Sequence, residues 1–496
     1  MYSHYKPLRN FVRELDRNTA FLQLFQFFQN IQYGKPLPNQ FARLNPKGLN
    51  SIKGVVFQWE LDILVREVIL HSGSKSSKNL FLIKDFVTVI ALIRKIQDRQ
   101  IGDRLPKMIY QELHRLFQQQ FPWQTKSVEL RLSRYLRIYR FPEVETLLVE
   151  RTGLTVRKFF LLGGAMTGAF LSNSWYDLNT NFTQFGISNE QRDAFFRLVT
   201  IDFESLKERT QKVQEYNENW SYTINPLRRT PLVRISSNAP NVVICPIPEF
   251  MLLRISEGLF FDLCEAKGFE NPYGAAFEQY FGEISIELIT SKAIQIEAGR
   301  EYSVKKNRKK GVDWLVFDKD AAMLIECKSK GLRLDARYQL EEAALFKEID
   351  LLAKFIFQNY KNLLDISAGY THWQPGGRVL YPVVVTLSNW YLSSPSVFKR
   401  LEERVLFLID ESDLDRKIIE NYPYIIMSME EYELAVQIVA QVGLSNFFDS
   451  FINNDYKGWM VSAFMQTRYV EELSNCRLDY LRSETDSIIK YMEGLL

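Results

Sequence analysis

Two short apolar runs, Gly311-Val-Asp-Trp-Leu-Val-Phe317 and Leu324-Ile-Glu-Cys-Lys-Ser-Lys330, flank the polar tetrapeptide Asp318-Lys-Asp-Ala321. They constrain the fold of this 496-residue chain more than any other feature. Both read as strands. A strand sends alternate side chains to one face, so Leu324, Glu326 and Lys328 project together while Ile325 and Cys327 point the other way. If Asp318 to Ala321 is a hairpin turn centred between Lys319 and Asp320, antiparallel pairing sets Asp313 opposite Glu326. Cross-strand partners lie about 5 Å apart. Two carboxylates that close repel unless a cation sits between them, and hard oxygen ligands suit Mg²⁺ or Mn²⁺. The plain alternative is a solvated sheet surface. Met323, Leu324 and Ile325 beside the charges favour a cleft, because isolated charges rarely tolerate burial without partners.

The spacing resembles the PD-(D/E)XK nuclease superfamily, with Glu326-Cys327-Lys328 as the second half of its motif and Asp313 as the first. Val312 stands where that family often has proline. A helical stretch expected over Phe277 to Ile289 supplies the family's helix acid. Glu278 takes that role, and Glu283 and Glu287 on the same helix are alternatives. The resemblance covers Pro272 to Asn389. It implies an α/β restriction-endonuclease-like core with α-β-β-β-α-β order and a mixed sheet. It also implies a Mg²⁺-dependent endonuclease. Asp313, Glu326 and the Cys327 carbonyl would hold a metal that polarises a phosphoryl oxygen and lowers the pKa of a water. Lys328 would orient that water or meet the developing charge, and Glu278 would carry a second metal or its water. DNA is the favoured substrate, with RNA, including tRNA, open. A restriction or anti-phage effector role is a family-level analogy. The competing reading is a catalytically inactive module that keeps the fold to bind nucleic acid or a partner protein.

The surrounding pattern agrees with that order. Ala293 to Tyr302 reads as a first strand, Leu334 to Leu364 as a long helix and Val379 to Leu387 as a buried strand. On the long helix, Tyr338, Gln339 and Lys347 are either placed towards substrate or on its solvated face.

A chain of this length exceeds one core, so several domains are expected. Residues 1–225 read as a mainly helical domain, 226–270 as a proline-rich connection, 271–392 as the nuclease core, and 393–496 as an α/β extension. The extension would cap the core, bind a partner protein or form a homodimer interface. Residues 1–250 carry 34 Lys and Arg against 22 Asp and Glu, a net +12, whereas residues 251–496 carry 28 against 37, a net −9. Phosphate-binding surfaces draw most of their affinity from such cations, so the N-terminal half is expected to help hold nucleic acid. Lys305, Lys306, Arg308, Lys309 and Lys310, just before the Asp313 strand, form a second basic cluster placed to grip phosphates. Arg131, Arg134, Arg137 and Arg140 recur every third residue with Tyr135 and Tyr139 between them. They offer a broad basic stripe for nucleic acid, or else ion pairs within the helical domain.

Several classes are disfavoured. There is no GxxxxGK[ST], hence no nucleotide triphosphate site of its own, and no GxSxG elbow. Gly163-Gly-Ala-Met-Thr-Gly168 has no Lys after it and reads as a helix-packing or turn segment. Four histidines and four cysteines are scattered without metal-ligand spacing. Neither a spanning apolar run nor a signal-peptide core is present, so a cytoplasmic protein without membrane contact is expected.

Overall fold

A computed structural model describes residues 2–43, 51–102, 105–124, 128–236, 238–338, 342–392, 394–452, 456, 458–484 and 486. The chain divides into two compact units. One comprises residues 1–109, 119–269 and 482–496; the other comprises 110–118 and 270–481. The segment 226–270, expected as a connection, therefore belongs almost wholly to the first unit. The extension expected from 393 belongs mostly to the second.

The first unit is largely helical, with Arg17–Tyr33, Gln58–His71, Ile83–Gly102 and Val156–Ala169 among its helices. Helix Arg17–Tyr33 starts on Asp16, whose carboxylate accepts the Thr19 N–H, and ends on Gly34 in the left-handed region. Phe21, Phe27, Leu64, Val68 and Trp220 meet in one apolar core. The Gly163 segment is helical, and a side chain at Gly163 would stand 2.6 Å from Ile255 Cγ2. Helix packing is thus what that glycine serves. A small four-stranded sheet is added, in the order Trp175–Asp177, Val242–Ile244, Leu232–Arg234, Thr200–Asp202.

The second unit is built on a five-stranded sheet whose spatial order follows the sequence: β1 (Gln295–Ala298), β2 (Trp314–Phe317), β3 (Ala321–Lys328), β4 (Val379–Thr386) and β5 (Ile425–Ser428). β1–β2 and β2–β3 are antiparallel, while β3–β4 and β4–β5 are parallel, so the sheet is mixed. Each parallel step needs a crossover. These are helices α2 (Glu342–Ser367) and α3 (Pro395–Glu411), which pack on each other around Leu352, Ile356, Leu401 and Val405. α1 (Glu270–Leu288) precedes the sheet, and α4 (Met429–Val442) follows β5 directly. The Ser428 hydroxyl accepts the Glu431 N–H, and Glu431 accepts the Ser428 N–H, so the cap ends the strand and starts the helix together. Tyr432 on α4 packs tilted against Phe281 of α1, and its hydroxyl meets Ser285 at 2.7 Å.

The element order is therefore helix, three strands, helix, strand, as the sequence pattern suggested, with three differences. The first strand is shorter than Ala293 to Tyr302, because Tyr302–Val304 leaves it to pair with Asn307–Lys309 in a separate two-stranded hairpin. The long helix is described over Leu334–Tyr338 and over α2, which runs three residues past the expected Leu364, and Gln339 lies outside the described residues. β5 pairs with β4 through Val383 to Thr386, so the sheet continues past residue 392 and the boundary placed there cuts through one core.

Candidate active site

The site grows from the β2–β3 hairpin. Asp318 makes its turn: its N–H donates to the Ala321 carbonyl, and Oδ1 accepts the N–H groups of Asp320 and Ala321, each at 2.8 Å. This local bonding fixes the register Trp314–Ile325, Leu315–Leu324, Val316–Met323, Phe317–Ala322. The registered pairs end there, and Asp313 is a bend just before β2: its N–H donates to the Ile325 carbonyl, the residue already paired with Trp314, so the expected Asp313–Glu326 pair is not part of the ladder. Leu324, Glu326 and Lys328 share the face covered by α2. There Asn359 donates to the carbonyls of Leu324 and Val383, and Asn362 Nδ2 donates to Glu326 Oε1 at 2.9 Å.

Asp313 and Glu326 are 8% and 3% exposed, so both carboxylates have left bulk water and each needs partners. Asp313 Oδ2 accepts the Cys327 N–H at 2.8 Å. Its Oδ1 is buried and receives no well-aligned hydrogen bond; it faces the Lys310 ammonium at 3.1 Å, an ion-pair distance. The same ammonium is 3.2 Å from Glu278 Oε1 and 3.5 Å from Oε2. Glu326 Oε2 instead takes Lys328 Nζ at 2.9 Å, and that ammonium also lies over the Phe355 ring. The two acids expected to share one cation are thus held by two different lysines. Among the described residues, no three His, Cys, Asp or Glu side chains stand together as a metal cluster.

The electrostatics follow from burial. Desolvation, reinforced by Asp313 and opposed by Lys328, pushes the Glu326 carboxyl up to about 7. Glu278 is raised for the same first reason, with Asp313 adding to it and Lys310 opposing. Burial acts to lower Lys328, but Glu326 and Asp313 outweigh it and its ammonium is held above the ordinary value. Cys327 is buried and raised well above the thiol range by desolvation first, so its sulfur is inert; its motif role would rest on its backbone.

Glu278 lies in the third turn of α1, not near its start, because the helix begins at Glu270. It is nonetheless the helix acid that reaches Lys310. Glu283 is exposed and accepts from Gln279 Nε2.

The basic cluster forms the hairpin Tyr302–Lys309, with Lys305 and Lys306 at its tip and Lys305 at φ 57°. Its base is fixed. Tyr302 O–H and Lys309 Nζ both donate to Asp365 Oδ2 at 2.6 Å, and Arg308 pairs with Glu301. A side chain at Gly299 would sit 1.5 Å from the Val312 carbonyl oxygen, so only glycine lets the two arms leading to the hairpin meet. Lys305, Lys306, Arg308, Lys309 and Lys310 are all exposed, and the two tip lysines make no ion pair among the described residues. A shallow recess behind the base is lined by Gly299, Tyr302, Val312, Asn362, His372 and Trp373, among others.

The arginine stripe has the other outcome. Arg131 and Arg134 are buried at 6% exposure each; Arg131 pairs with Glu249 at 3.1 Å, and Arg137 and Arg140 both pair with Glu484. Tyr135 and Tyr139 are buried as well. A three-residue period spirals around the helix, so most of the stripe turns inward and its charges become internal ion pairs of the first unit. Sequence reasoning missed their partners, because Glu249 and Glu484 lie far along the chain. It also missed Asn362, for which no local signal exists. Tyr338 O–H donates to the Gln118 carbonyl, while Lys347 is exposed.

Comparison with family models, with curated proteins and with solved structures finds no match to this chain. No helix among the described residues is long and apolar enough to cross a membrane.

Proposed function

We propose that the second unit is a divalent-metal-dependent nuclease that hydrolyses phosphodiester bonds, with DNA favoured over RNA. One observation carries the reading: buried Asp313, whose side chain takes the Cys327 N–H of β3, lies beside buried Glu326 and its partner Lys328 near an exposed basic hairpin, with Glu278 joined through Lys310. Donor chemistry fits Mg²⁺ or Mn²⁺, since the groups are hard oxygens and Asp313 Oδ1 is buried without a well-aligned donor. Asp313, Glu326 and the Cys327 carbonyl would hold the ion, which supplies Lewis-acid polarisation and neutralises phosphate charge. Lys328, buried and held by Glu326, would orient the attacking water or meet charge developing on the phosphoryl oxygens. Glu278 would hold that water. The hairpin cations would grip flanking phosphates, which positions the strand without reading its sequence. The restriction or anti-phage setting implied by the family resemblance goes with this reading.

A second reading is favoured by the lysine pairing itself: both acids already have cationic partners, as in a nuclease-like module that only binds nucleic acid or a partner protein. Purified protein incubated with plasmid DNA or tRNA, in Mg²⁺, Mn²⁺ or EDTA, separates the two. Asp313→Asn keeps an oxygen for the Cys327 N–H but removes the charge. It is expected to lower cleavage by about 10³-fold, the worth of several kcal/mol of metal assistance. Equal cleavage by this variant, or none by the wild type in any metal, would overturn the enzymatic reading.

A further inference from the structure

We infer that Lys310 is a tethered stand-in for the divalent cation, which enters by displacing its ammonium; the inference rests on the metal-dependent reading above. Asp313 Oδ1, beside β2, and Glu278, on α1, come from separate elements and converge on one positive charge, Lys310 Nζ, at 3.1 and 3.2 Å. The Asp313 side chain is 1% exposed and that of Lys310 is 66% exposed. A fixed, buried anion is therefore neutralised by a cation whose stem lies mostly in water, an arrangement easily exchanged. Lys328 differs: its side chain is 23% exposed and held by Glu326 and Phe355, so it stays with its acid.

Without a cation at that point, two carboxylates would face each other in a partly desolvated pocket, which is unfavourable. An ammonium relieves the repulsion at hydrogen-bond distances. Mg²⁺ or Mn²⁺ would relieve it better, with twice the charge and oxygen distances of about 2.0–2.1 Å for Mg²⁺. The two cations cannot share the seat, so ion binding must release Lys310. The freed ammonium stays at the hairpin base, next to Lys309, where a backbone phosphate can replace its lost partners. By linkage, a polyanion that engages Lys310 tightens the metal, and the metal tightens the polyanion by the same factor.

Titration calorimetry of the full chain with Mn²⁺ alone tests this, using wild type, Lys310→Met, Lys310→Arg and Asp313→Asn. Lys310→Met removes the competitor and keeps the stem; it is expected to bind Mn²⁺ on the order of tenfold more tightly than wild type. Lys310→Arg keeps the charge and is expected to bind no more tightly than wild type, and Asp313→Asn to lose the heat of binding. In EDTA, Lys310→Met should melt below wild type and gain more from added Mn²⁺. Mn²⁺ affinity equal to or weaker than wild type in Lys310→Met, beside a wild type that cleaves, overturns the Lys310 assignment and leaves the nuclease reading intact. No Mn²⁺ binding by any of the four proteins overturns both.

Discussion

Glu326 is one of the strongly environment-dependent groups in the site. Its carboxyl is pushed up to about 7 by burial first and by Asp313 second, against an ordinary value of 4.5. A folded-state value above the unfolded one means that the folded chain holds an extra proton between about pH 4.5 and 7. The stability tied to this group is therefore complete below 4.5 and is lost as pH rises to 7. Urea unfolding in EDTA at pH 5 and pH 7.5 should show wild type losing stability relative to Glu326→Gln across that interval; parallel curves would discount the shift. Since metal ligation needs the carboxylate, cleavage should rise over the same window. Asn362 is the neighbour that positions this acid, donating to Oε1 at 2.9 Å from α2. Asn362→Leu leaves that oxygen without its donor and is expected to lower unfolding free energy by about 1–3 kcal/mol. Urea titration measures it.

At the scale of elements, the proposed reading has the basic hairpin hold nucleic acid and the β2–β3 hairpin cut it. Lys305 adopts a left-handed φ of 57° at the tip, a conformation that glycine takes more cheaply. Lys305→Gly combined with Lys306→Ser should therefore fold at least as well as wild type while removing two phosphate-directed charges. The slope of log affinity against log salt for duplex DNA should fall by about two. Fluorescence anisotropy in EDTA across a salt series reads it, and an unchanged slope would remove the tip from the interface. How legible these elements were depended on how local their causes are. The β2–β3 register could be read from the turn because Asp318 satisfies it with neighbours two and three residues away. The exit of Tyr302 from the first strand could not, since it depends on Asp365, 63 residues on. The place of β5 beside β4 is a tertiary choice that no local pattern states.

At the scale of the whole molecule, net charge by region proved a poor guide to surface. Residues 1–250 carry the positive excess, but Arg131, Arg134 and Arg137 direct theirs inward. Arg131→Met removes the cation beside Glu249, itself 5% exposed and left with the Gln32 amide, and is expected to destabilise the first unit by about 3–5 kcal/mol. Its salt slope for nucleic acid should match wild type, so thermal melting and anisotropy together separate a structural arginine from a binding one. The sheet sets a further condition on the second unit. The placing of Asp313 depends on the number of residues between it and Asp318, because it lies one residue beyond the registered pairs of β2 and β3. Adding or deleting one residue there would take Asp313 off the Cys327 N–H and the Lys310 ammonium while Glu326 stayed beneath α2. The chain could keep its core and still lose the meeting of its acids, so length in this stretch is bound as tightly as residue identity.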